Sequence, residues 1–295
     1  MNGKMSYDDF KNAVASEIRD FLPPSYKNWE ISLKTMYKVN FAQDGLVVMP
    51  PEEDTKNEIW RTPTMYLKGY YEKFQSGENF NEIMKQITAT VTKYTKPYKI
   101  EKDFFNPNEE IIVFQVINRE KNKELLKNLP HREILDLALI YRIVRFCKTS
   151  NMMSCIVTYD ILKELKMNEE ELYENAKRQT EVILKPNLTA LMPPLYTLTN
   201  KKLIWGASSI LFPEKLKELA ENLEKDLYLL PSSLDEMMVL PTDYTSAEEV
   251  HDILLQANKE AVTEEEWLSD RVYIYSKDSN EIHFAHDDSP EAYMS

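Results

Sequence analysis

Residues 134–146 read Ile-Leu-Asp-Leu-Ala-Leu-Ile-Tyr-Arg-Ile-Val-Arg-Phe, and whether this run is helix or strand decides the fold. Almost every position is apolar, so neither the helical nor the strand period shows in it. Its neighbours decide the matter. Lys148–Asn151 is turn-like, and Met152–Val157 behind it is rich in β-prone residues. Ile111–Ile117, upstream, is a second strongly apolar strand. The run is therefore read as a strand, and the middle of the chain as a sheet.

Working outward toward the N-terminus, Ser6 opens a helix with Phe10, Val14, Ile18 and Phe21 on one face, and Pro23-Pro24 stops it. Asp9, three residues after Ser6, gives capping-box spacing. Trp29, Ile31 and Leu33 alternate with polar residues as a half-buried strand does. Asp44-Gly45 is read as the turn into a second strand, Leu46–Met49, and Glu58–Arg61 as a third extended piece. Phe80, Ile83, Met84, Ile87 and Val91 mark an amphipathic helix. Lys96–Asn108, with Pro97 and Pro107, reads as a linker.

Toward the C-terminus, Lys121–Lys127, Tyr159–Leu165 and Glu169–Leu184 are expected to be helical. Tyr196–Thr199, Leu203–Ile210, Leu227–Leu230 and Met237–Leu240 are expected to be strands. A helix starts at Pro213, and a capped one runs from Ser246 to about Ala261. Thr263 and Glu266 repeat the capping spacing. Val272–Tyr275 and Ile282–Phe284 form a last hairpin. The fold class is α+β, with mixed or antiparallel sheets and several amphipathic helices. Two regions are expected: residues 1–105, a helix plus β-hairpin, and residues 106–295, larger and ending in an acidic third.

Composition bounds the function. The chain has 295 residues, 36 Lys+Arg against 49 Asp+Glu, two Cys and five isolated Gly. Residues 1–200 are electrically balanced, and the whole surplus of 13 negative charges lies in residues 201–295. That region would repel a phosphate backbone, so direct nucleic-acid binding there is disfavoured. An acidic face can dock a basic partner, imitate nucleic acid, or simply keep the surface solvated. No apolar stretch approaches the roughly 18 residues of a membrane span, and Met1–Leu22 carries four carboxylates and no apolar signal core. A cytoplasmic protein is expected, with no membrane partner.

Scattered glycines exclude a phosphate loop or a dinucleotide fingerprint. Gly206-Ala207-Ser208-Ser209 lacks the second glycine of a nucleophile elbow. Cys147 and Cys155 would face each other if Phe146 paired with Ile156, although two free thiols suit a reducing cytosol better. His283 and His286, before Asp287-Asp288, have a ligand-like spacing, but residues three apart on a strand face opposite ways. No metal or cofactor is called for. His131, Arg132 and Asp136 are the catalytic candidates, since a His near an Arg and an Asp can be an oriented general base. A salt-bridge network fixing the turn is the plainer reading, with Arg132 or His131 as the donor that a buried Asp136 would need. Asn118 and Asn122 border the same core and are binding candidates. Ser232 and Ser233 in the loop Leu230–Glu236 are the others, although Ser233 and Glu236 also have capping-box spacing.

Several segments together resemble a bacterial family. They are Asn122–Leu126, Pro130-His131-Arg132, Leu135–Ala138, Asn168–Tyr173, Tyr196–Asn200 and Leu227–Ser233. The family is domain of unknown function 5688, and the likeness runs from about residue 6 to 285. Asn168–Leu172 also resembles domain of unknown function 1444, more distantly. The resemblance implies a bacterial cytoplasmic protein without an assigned activity, so no catalytic residue carries over. At Asp235 the resemblance leads one to expect His more often, which weakens a catalytic reading of that loop. A non-enzymatic protein-binding or regulatory module is the leading expectation. A hydrolase or transferase using His131, Arg132 and Asp136 is the alternative, and an acidic mimic blocking a nucleic-acid-binding protein the third.

Overall fold

The computed structural model describes residues 5–51, 53, 59–98, 110–146 and 152–285. The chain forms two compact units. One comprises Met1–Lys38 and Ala42–Phe104; the other comprises Val39–Phe41 and Phe105–Ser295. Every strand pair with a described register is antiparallel, and the protein is α+β. No helix of the described residues is long and apolar enough to cross a membrane.

The first unit opens with α1 (Tyr7–Phe21), whose first turn is capped by Ser6 Oγ accepting the Asp9 N–H at 3.1 Å. Phe10, Val14 and Ile18 are buried, as their spacing requires. β1 (Glu30–Lys38) and β2 (Phe41–Met49) follow, then β3 (Ile59–Arg61), β4 (Met65–Tyr66), α2 (Leu67–Gln75), α3 (Phe80–Tyr94) and β5 (Lys96–Tyr98). The chain reverses at Val39-Asn40, where Asn40 takes the left-handed φ of 69°, and not at Asp44-Gly45. Those two residues lie inside β2. Asp44 is there to accept from Lys11 Nζ at 2.7 Å and Thr35 Oγ1 at 3.0 Å. Gly45 is there because a Cβ would overlap the Thr64 methyl. The start of the expected linker is a strand: Lys96–Tyr98 pairs with Ile59–Arg61. Residues 99–109 lie outside the described residues. The sequence reading passed over α2, whose Tyr71 and Phe74 rings pack on Phe10 with centroids 5.4 and 5.5 Å away.

The second unit holds two sheets. In the first, β6 (Ile111–Asn118), β7 (Arg132–Ile134), β8 (Leu137–Phe146) and β9 (Met152–Ile156) are arranged with β8 between β6 and β7, and β9 also on β8. A one-turn helix, α4 (Lys123–Leu126), lies between β6 and β7. The decisive run is thus extended, but broken at Leu135-Asp136, where Leu135 has a φ of 55°. Alternation is missing because both faces of β8 are buried: Leu139 and Tyr141 in one cluster, Ala138 and Ile140 in another. The register that would set Cys147 opposite Cys155 is not adopted. Phe146 pairs with Met152, which places Cys155 opposite Ile143, and Cys155 is a free thiol. Cys147 lies outside the described residues. Next, α5 (Tyr159–Glu164) and α6 (Glu169–Gln179) cover Phe114 and Tyr141. Asn168 and Glu171 close a reciprocal capping box on α6.

The second sheet has the order β10-β11-β13-β12-β14-β15. Its members are β10 (Pro186–Met192), β11 (Leu195–Asn200), β12 (Leu227–Leu230), β13 (Met237–Pro241), β14 (Tyr273–Tyr275) and β15 (Ile282–Phe284). Two helices interrupt it, α7 (Glu214–Leu223) and α8 (Ala247–Ala261). One face, with Leu198, Leu229, Val239 and Tyr273, joins the main core. The other, with Tyr228, Leu230 and Leu240, packs on Val250 and Leu254 of α8. Leu203–Ile210 is not a strand. Leu203 and Trp205 take left-handed φ values of 56° and 49°, and Gly206–Leu211 coils into a 3-10 turn. Asn200 enforces this by accepting from the Lys202 N–H and donating to the Ile204 carbonyl. Thr263 and Glu266 make a turn, with the Glu266 N–H on the Thr263 carbonyl at 3.1 Å.

Candidate functional site

The loop before β13 is where sequence chemistry and structure converge. Ser233 Oγ accepts the N–H groups of Asp235 and Glu236 at 3.3 and 3.2 Å. This is the capping geometry its spacing promised, and the strand expected at Met237–Leu240 follows it, with Met237 and Val239 on the core face of β13. Across from it, the Ser232 carbonyl accepts the Leu268 N–H, and the Leu234 N–H donates to the Glu266 carbonyl at 2.8 Å. A β-bridge joins Ser233 to Trp267. Glu266 is thereby carried to the loop that presents Asp235 and Glu236.

These residues form one end of a cleft of about 410 Å³. Its floor is the α8-facing side of the sheet: Leu195, Leu230, Met238 and Leu240. Its wall is α8, through Ile253, Leu254, Ala257 and Ala261. Val250 and Leu254 form the buried stripe that docks the helix, whereas Ile253, 46% exposed, and Ala257 belong to a second apolar stripe open to the cleft. The carboxylates Asp235, Glu236 and Glu266 stand at the loop end.

The loop is fixed from behind. Asp235 Oδ1 accepts the Trp205 N–H at 2.6 Å, and the Asp235 carbonyl accepts from Thr199 Oγ1 at 2.7 Å. Gly206 has to be glycine here, since a Cβ would overlap both Thr199 Oγ1 and the Asp235 carbonyl. Glu236 Oε2 accepts from Thr197 Oγ1 at 3.1 Å. Burial pushes the Asp235 carboxyl above the ordinary carboxylate range; the Trp205 N–H opposes this, and the charges of Glu266 and Glu236 add to it.

The three catalytic candidates are engaged separately. His131 Nδ1 lies 2.8 Å from the Leu129 carbonyl. Arg132 pairs with Glu170 and lies over the Tyr173 ring at 3.6 Å. Asp136 finds neither His131 nor Arg132 as its donor. Its carboxylate accepts from Ser269 Oγ and Tyr273 OH, both at 2.6 Å, and its carbonyl accepts the Arg119 N–H. Burial raises the Tyr273 hydroxyl well above its usual value, and the Asp136 charge adds to this. Asn118 and Asn122 are hydrogen-bonded within the second unit. Asn118 Oδ1 accepts the Lys121 N–H. Asn122, 2% exposed, accepts the Asn40 N–H at 2.7 Å and donates to Asn40 Oδ1 and the Asn118 carbonyl. Of the named candidates, only Ser232 and Ser233 reach the cleft. Its α8 wall and Glu266 escaped the sequence reading. The available signal was Ile253 and Ala257, four apart and outside the buried stripe of their helix.

Among the described residues, no group of three His, Cys, Asp or Glu side chains could hold a metal ion. His283 is exposed on β15, and His286, Asp287 and Asp288 lie outside the described residues.

Comparison with known proteins gives the following. The model of the family of unknown function DUF5688 matches residues 7–193 and 187–277. An RNA polymerase sigma factor, TcsR, from Paraclostridium sordellii is 25% identical over 123 residues, which is 40% of this chain and 70% of that protein. A second TcsR from Paraclostridium sordellii, strain ATCC 9714, is 23% identical over 125 residues, 40% of this chain and 72% of that protein. No solved structure matches.

Proposed function

We propose that this chain, which belongs to the family of unknown function DUF5688, is a non-enzymatic, cytoplasmic protein-binding module. Its cleft between α8 and the sheet takes an apolar segment of a partner protein. The observation that carries this reading is the second apolar stripe of α8. Val250 and Leu254 dock the helix, and among the described residues Ile253 and Ala257 stand exposed beside the cleft. Apolar side chains lining a concave opening gain about 25 cal/mol per Å² when a partner removes them from water. The separate engagement of His131, Arg132 and Asp136 favours this reading over a hydrolytic one. The sigma-factor likeness covers 40% of the chain and carries no role in transcription to it.

The test is an affinity capture from the native host with the tagged full-length chain and with Ala257→Trp, which fills the cleft from an exposed helix position. A stoichiometric protein retained by the wild type and lost by the variant, with unchanged far-UV circular dichroism, is expected. Equal retention by both would remove the cleft from the account. A wild type that captures nothing would remove the binding reading itself.

A further inference from the structure

Resting on the cleft reading above, we propose that the segment the cleft takes is a cationic amphipathic helix. Three features of the cleft lead there.

The first is what the walls offer. The floor is side chains from the face of a paired sheet, and the wall is side chains of a helix. Neither presents a row of free backbone N–H and C=O groups, so an extended segment could not complete its hydrogen bonds by adding to a strand edge. A helix satisfies its own backbone and needs only apolar contact.

The second is the spacing on α8. Ile253, Ala257 and Ala261 lie four apart, which makes a ridge along the helix. Two of the three are alanines, so a facing helix can approach closely. At 1.5 Å per residue the ridge is about 12 Å long, which matches two to three turns of a partner helix.

The third is charge. Asp235, Glu236 and Glu266 stand at one end, and none of the residues lining the cleft is Lys, Arg or His. No ion pair among the described residues neutralises them. The charges of Glu266 and Glu236 also bear on Asp235, and a cation beside them would offset that repulsion. The wider field agrees, because the 13 surplus negative charges of the chain all fall in residues 201–295. Such a field steers a cation in and turns away a phosphate backbone. A helix with Leu-type residues on one face and Lys or Arg flanking them fits floor, wall and rim together.

The experiment uses the full-length chain and three fluorescein-labelled helices of about eighteen residues sharing one leucine face. Their other positions are all Lys, all Gln or all Glu, and binding is read by fluorescence anisotropy. The Lys helix is expected to bind about tenfold tighter than the Gln helix at low salt, and the Glu helix not at all. E236Q/E266Q is expected to weaken the Lys helix about tenfold and so to remove its advantage over the Gln helix. E218Q/E221Q removes the same charge from α7 and is expected to change neither. Equal affinity for the Lys and Gln helices would overturn the charge assignment and leave the cleft standing. So would equal weakening by E218Q/E221Q. Undiminished binding of the Lys and Gln helices by Ala257→Trp would overturn the cleft. Failure of the wild type to bind the Lys helix would overturn both.

Discussion

Asp235 is the residue at which the site and the stability of the chain meet. Its carboxyl is half-buried, holds the Trp205 N–H, and shares the cleft with two other carboxylates. Its folded pKa lies above that of the unfolded chain. The linkage therefore runs opposite to the usual carboxylate. Below the ordinary carboxylate range the folded form is favoured by the protonated group, and that contribution is lost as pH rises through the raised folded value. D235N keeps an oxygen for Trp205 and never takes on the charge. It is expected to melt higher than the wild type at pH 7, with the advantage shrinking toward pH 3; thermal circular dichroism at the two pH values checks this. Asp136 is the contrasting case. Two hydroxyls, Ser269 Oγ and Tyr273 OH, donate to it within the second unit, as a carboxylate in an apolar run requires.

At the scale of elements, the regions that chain neighbours alone determine were readable. Ser6 and Ser246 cap the helices that their spacing announces, and the alternative between helix and strand at residues 134–146 was settled by adjacent runs. What distant contacts decide was not readable. Leu203–Ile210 has the composition of a strand but is bent by Asn200 and by two left-handed residues. Asp44-Gly45 looks like a turn because the glycine's real cause, the Thr64 methyl, is not a chain neighbour. Gly206 belongs to the same class, and it is testable. Gly206→Ala must push apart the 3-10 turn and the Asp235 loop, and is expected to cost on the order of 2 kcal/mol in urea unfolding. A change within about 0.5 kcal/mol would mean that the two segments separate freely. The cleft itself was half legible: Ser232 and Ser233 were singled out, while its wall required knowing which side of α8 meets the sheet.

At the scale of the whole molecule, the second unit is discontinuous in sequence. Val39–Phe41 belongs to it, with Val39 against its main core and Asn40 bonded to Asn122, Glu265 and Trp267. A fragment beginning at Phe105 therefore lacks three residues of its own unit. The buried Asn122 amide loses the Asn40 N–H and side chain, and a buried amide left unpaired costs about 1–3 kcal/mol. The fragment is expected to unfold at lower urea than the corresponding transition of the full chain. Equal midpoints would show that Asn40 adds nothing. The same arrangement orders events on the ribosome. The two carbonyls to which the Asn40 amide donates lie 225 and 227 residues further along the chain. Asn40 leaves the exit tunnel long before they are made, so its bonds to these two carbonyls close only after residue 267 has been synthesised, whereas those to Asn122 need only 82 further residues.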